Sequence, residues 1–160
     1  EYQANEFAAE LLMPANELRA FLRRKSGVDV GHILKLADRF FVSREAMARR
    51  YVTHVDEPAA IIFSRENQIR YIKKTEDFPR LDVWNRDPLP ANSLSCVSNT
   101  EIGEVTDWTE VSGQIWLDRS QGYTLYEQTL AQQNGFRITL LTVDKTDEEN
   151  DAWEMPQFRR

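Results

Sequence analysis

Glu57-Pro58-Ala59-Ala60-Ile61-Ile62-Phe63 is where the chain changes character. The residue before a proline is pushed out of helical backbone, so Glu57-Pro58 marks a boundary. Before it, apolar residues recur at helical spacing; after it, β-branched and aromatic runs are separated by turn signals. Charge changes at the same place. Residues 1–56 carry nine Lys and Arg against eight Asp and Glu, while residues 57–160 carry eleven against eighteen. The expected class is α+β: a helical part over 1–56, a β-rich part over 57–145 and an acidic tail over 146–160. These form two structural layers or two small domains.

Four helices are expected in the first part. Tyr2 to Met13 sets Ala4, Phe7, Ala8, Leu11 and Leu12 on one apolar stripe, and Pro14 ends it. Pro14 to Arg24 turns Leu18, Phe21 and Leu22 inward, before a break at Ser26-Gly27. A third helix, Val30 to Phe40, buries Ile33, Leu34, Ala37 and Phe40 or Phe41; Ser43 then caps a fourth that ends at Val52. In the second part, Ala60–Phe63 and Ile69–Ile72 flank the polar Ser64–Gln68 segment as a hairpin. Asn134-Gly135 is a strong turn signal joining strands Tyr123–Gln133 and Phe136–Val143. Pro79, Pro88 and Pro90 mark loops, and Gln114–Leu117 reads as a further strand. Asp144 to Asp151 holds five acids and one Lys, the composition of a solvated tail.

Composition removes many functions. With 160 residues, 41% hydrophobic and 29% charged, the chain has a globular composition, and no apolar run approaches the roughly 18 residues of a membrane span. Glu1–Glu10 has neither the basic start nor the apolar centre of a signal peptide, so a cytoplasmic protein with no membrane partner is expected. Cys96 is the only cysteine, which excludes an internal disulfide and a cysteine-rich zinc site, and it reads as a buried structural thiol. His32 and His54 are the only histidines, too few for a three-histidine metal site. No Gly-x-Ser-x-Gly elbow or Gly-rich phosphate loop is present. The chain opens with Glu inside a helix, so a fragment of a longer protein is expected.

Three constellations carry chemistry. Glu1 and Asn5 stand four apart and share a helix face. A carboxylate there can ligate a metal, and an amide one turn later can orient a neighbouring ligand. An amphipathic helix with solvent-facing acids accounts for the same spacing. The second is the pair Val30–Phe41 and Ser43–Val52, which reads as a helix-turn-helix. Lys35, Arg39, Arg44, Arg49 and Arg50 would face phosphate, with Arg44 reaching a base edge, yet nearly as many acids share the segment and a helical scaffold is the plainer reading. The third is aromatic: Phe63, Tyr71, Phe78, Trp84, Trp108, Trp116, Tyr123, Tyr126 and Phe136 would line a ligand pocket or, more simply, fill a β core.

The letters at the start carry more than their periodicity. Glu1-x-x-Ala4-Asn5-x-Phe7-Ala8-Ala9-x-Leu11-Leu12-Met13-Pro14 resembles the segment after the active-site helix in ImmA/IrrE-type zinc metallopeptidases, at ten of fourteen positions. The resemblance continues through Leu36–Ser43 and Ala46–Arg50, and more weakly through Glu127–Leu130 and Asn134–Leu141. It implies zinc as cofactor, Glu1 as third metal ligand and Asn5 in support. Two upstream histidines and a general base would come from a His-Glu-x-x-His helix. It further implies cleavage of repressor-type transcription regulators and, as in some members, a GAF-like sensor after the helices. This sequence contains no His-Glu-x-x-His, so on its own it is expected to be catalytically inactive and to hold zinc weakly. The alternatives are a non-enzymatic transcriptional regulator that docks on DNA or protein, and an interaction module without an active site.

Overall fold

A computed structural model describes residues 2–146. Glu1 and residues 147–160, most of the expected acidic tail, lie outside them. Four helices come first: α1 (Tyr2–Leu12), α2 (Ala15–Leu22), α3 (Val30–Phe40) and α4 (Arg44–Val52). Strands β1 (Ala59–Arg65) and β2 (Gln68–Lys74) follow, then the short helix α5 (Leu94–Val97), β3 (Thr109–Val111), β4 (Tyr123–Ala131) and β5 (Phe136–Lys145). The expected α+β arrangement is the observed one. The strands form one antiparallel sheet in the order β2-β1-β5-β4-β3.

Both faces of the sheet are covered, and the alternation of side chains along each strand sorts residues between them. Ala59, Ile61, Phe63, Leu130, Ile138 and Leu140 pack with Leu18, Val30, Ile33, Leu36, Met47 and Tyr51 of the helices. On the opposite face, Ala60, Ile62, Leu125, Leu141 and Val143 are covered by Phe78, Leu81, Leu89, Trp116 and Leu117 from the long connection between β2 and β4. The helices and the sheet therefore share one core. Of the nine aromatics, Phe63, Phe78 and Trp116 are fully core residues and Trp84 is exposed, so packing is their main role.

In the β-rich part, Cys96 is half-buried rather than buried, and two backbone details differ from expectation. The first hairpin turns on Glu66-Asn67 alone, with φ of 50° and 62°, so Ser64, Arg65 and Gln68 belong to strands. Two left-handed residues match the strand twist in a two-residue loop, which is why the turn is tighter than its polar run implied. The register slips by one between Phe63 and Ser64, leaving Arg70 as the extra residue of a bulge on β2. Gln114–Leu117 is not a strand; a 3-10 turn over Gly113–Ile115 drops Trp116 into the core, where its indole meets Glu127. The strand of this region is β3, a few residues earlier. Asn134-Gly135 behaves as expected, both residues having positive φ at the β4–β5 connection.

Candidate functional site

α1 is seated by its polar side. The Glu10 carboxylate accepts the Ala15 backbone N–H at 3.1 Å and pairs with the Arg50 guanidinium, whose Nε donates to the Met13 carbonyl at 3.2 Å. The Ala15 amide first, and Arg50 second, hold Glu10 below the usual carboxylate range. Met13 is buried at the end of this arrangement. The consequence is that the apolar stripe faces outward: Ala4 and Ala8 are exposed, as are Phe7, Leu11 and Leu12 at 71%, 69% and 56%. Among the described residues nothing covers that face. Asn5 is exposed as well.

The α3–α4 pair is built by local capping. Asp29 Oδ1 accepts the Gly31 N–H at 2.6 Å, and Ser43 Oγ accepts the Ala46 N–H at 3.1 Å. Phe41, at φ 53°, closes α3, and the Val42 N–H reaches back to the Ala37 carbonyl at 3.1 Å. Its ring is 95% exposed. The cations singled out for phosphate do not form one free surface. Lys35 and Arg49 are exposed, Arg44 is half-buried, Arg39 pairs with Glu17 at 3.2 Å, and Arg50 is taken by Glu10. Glu45, at the start of α4, accepts from Arg70 at 2.9 Å and from the Tyr71 hydroxyl at 2.5 Å. Burial works to raise the Glu45 carboxyl, and the two donors outweigh it and hold it low. Arg44 stands beside Glu45 on an open groove of about 580 Å³, which Ile102, Gln132 and Phe136 complete.

Sequence reading missed the polar junction between the helices and the sheet. β4 sends adjacent side chains to opposite layers. Gln128, on the helix face, accepts the Val30 N–H at 2.9 Å and donates to Asp29 at 3.4 Å and the Thr106 carbonyl at 3.3 Å. Trp108 Nε1 also donates to Asp29, at 3.2 Å. The Asp29 backbone N–H donates to the Tyr51 hydroxyl at 3.2 Å, which stands 2.9 Å from His32 Nδ1. Burial lowers the His32 pKa and raises that of Tyr51. Glu127, on the other face, is fully buried and accepts from Trp116 Nε1, Ser95 N and Leu94 N at 2.9, 2.7 and 3.0 Å. Those three donors make it a structural anchor. The only local sign of the junction is an Asp directly before the first residue of α3.

As to a metal, the described residues contain no group of three or more His, Cys, Asp or Glu side chains placed to hold one. Nor is any helix among them long and apolar enough to cross a membrane.

The family model described as the IrrE N-terminal-like domain, Peptidase M78, matches residues 1–51. The match runs through α1 to α4 and stops one residue short of the end of α4. This helical third of the chain is thus similar to a metallopeptidase domain of the ImmA/IrrE type. No curated protein matches the chain.

Proposed function

We propose that residues 1–51 are the closing helices of an ImmA/IrrE-type zinc metallopeptidase domain, in a protein that cleaves repressor-type transcription regulators in the cytoplasm. In this reading Glu1 is the third metal ligand and Asn5 supports it, while the two histidines and the general base belong to a His-Glu-x-x-His helix. That helix is absent from this sequence, so no hydrolytic step is assigned to its residues. The family match over the four helices is the observation that carries the reading. The uncovered face of α1 supports it, because Phe7, Leu11 and Leu12 form the kind of apolar strip that a neighbouring helix covers.

The sheet would then recognise substrate or signal. Its attachment through one shared core supports a role coupled to the helices rather than that of a loosely tethered module. The test is to express the chain together with the reading frame that precedes Glu1 and assay cleavage of a repressor alongside the Glu1→Gln variant. Cleavage lost in the variant supports the reading. An upstream frame without His-Glu-x-x-His overturns it and leaves binding as the function.

A further inference from the structure

Tyr51 of α4 is fully buried, and its hydroxyl meets two residues at the start of α3. A phenol has one proton to give. Its oxygen accepts the Asp29 N–H at 3.2 Å, and the one acceptor in reach of its own buried proton among the described residues is His32 Nδ1, 2.9 Å away; leaving that proton unpaired is costly, so Tyr51 donates. That bond fixes the tautomer: Nδ1 of His32 is bare and Nε2 carries the hydrogen. The next links are equally direct. Asp29 caps α3 through Gly31 N, and its other carboxylate oxygen receives Trp108 Nε1 and Gln128 Nε2 from the β-rich half. We propose that the His32–Tyr51–Asp29 chain is an acid-sensitive latch that holds α3 and α4 to the sheet while His32 is neutral and loosens when it gains a proton.

The loosening follows from counting donors. Protonated His32 carries a hydrogen on Nδ1, pointing at an oxygen that already accepts from Asp29. The Tyr51 hydrogen is then left in the core without an acceptor among the described residues, and a buried donor without a partner is costly. The Tyr51 oxygen can accept both hydrogens, so the strain falls on its own proton, and turning that proton toward an acceptor weakens the Tyr51–His32 contact or the Asp29 N–H bond. Loss of the second shifts the residue that caps α3 and carries Trp108 and Gln128. Several charges bear on His32. Asp29, at the N-cap of α3, and Glu57, after α4, favour its proton; Lys25, after α2, and Lys35, on α3, oppose it. Phe21 of α2 packs edge-on against the imidazole, 5.8 Å between centroids. Burial is the largest influence and keeps His32 neutral near neutral pH. The imidazole is only half-buried, so protons reach it from solvent.

Nitrogen-15 and proton NMR of the whole chain across acidic to neutral pH tests this. The His32 ring should show a bare Nδ1 at neutral pH, and the Trp108 indole N–H should shift with the same midpoint as His32. Trp108→Phe assigns that resonance, and His54→Gln removes the other histidine. Tyr51→Phe should move the His32 midpoint upward, because the hydrogen bond that favours the neutral ring is gone. His32→Gln, a change at a half-buried position, should abolish the pH response of Trp108. A Trp108 indole that does not follow His32, or that follows pH unchanged in His32→Gln, overturns the latch.

Discussion

Asp29 accepts hydrogen bonds from Gly31, Trp108 and Gln128 with one carboxylate, so its loss strips an N-cap and two side-chain donors together. Asp29→Ala is expected to cost about 2–4 kcal/mol in urea unfolding, a cap contributing roughly 1 and the stranded donors the rest. Asp29→Asn should recover part of it. Glu127 is more deeply placed: Glu127→Ala leaves the Trp116 indole and two amides unpaired in the core, an expected loss of about 3 kcal/mol or more. Acid should weaken the protein in two stages. Burial lowers His32 from 6.5, so the unfolded chain binds that proton more readily, and stability present above pH 6.5 falls away as the pH drops below it. Glu45 is held below 4.5, so its contribution persists above pH 4.5 and is lost as pH falls through its lower folded value. Thermal melts across pH should show both steps, with His32→Gln removing only the first. A melt that stays flat from pH 7 to 5 contradicts the assignment to His32.

Elements were legible where their signals are local. α3 runs over the expected Val30–Phe40 because apolar periodicity and the flanking residues agree, and Ser43 caps α4 as anticipated. The exposed stripe of α1 was not legible, since its orientation depends on an ion pair between residues forty apart, Glu10 and Arg50. In the 160-residue chain, Phe7→Ala with Leu11→Ala should therefore change stability by no more than about 0.5 kcal/mol. Leu18→Ala, in the core, should cost about 2–5 kcal/mol by the same denaturation assay. The tight first hairpin was obscured because Glu is an unusual residue at φ 50°. Glu66→Asn should stabilise the chain by several tenths of a kcal/mol, the left-handed turn position favouring Asn.

For the whole molecule, the division into helices and sheet could be read from Glu57-Pro58, whereas the bond network joining the halves could not. Asp29 and Gln128 lie 99 residues apart, and no local pattern connects them. The family resemblance was legible because it rests chiefly on a contiguous run, Glu1 to Pro14, and the family match over residues 1–51 includes that run. In the proposed reading Glu1 is one ligand of a metal, and the described residues contain no group of three or more His, Cys, Asp or Glu placed to hold one. The most direct measurement is the zinc content of the protein expressed with the frame preceding Glu1. Roughly one zinc per chain, largely lost in Glu1→Gln, is the expected result, three protein ligands being the usual catalytic set. Zinc absent from the intact protein, or retained in full by Glu1→Gln, would contradict the metallopeptidase reading.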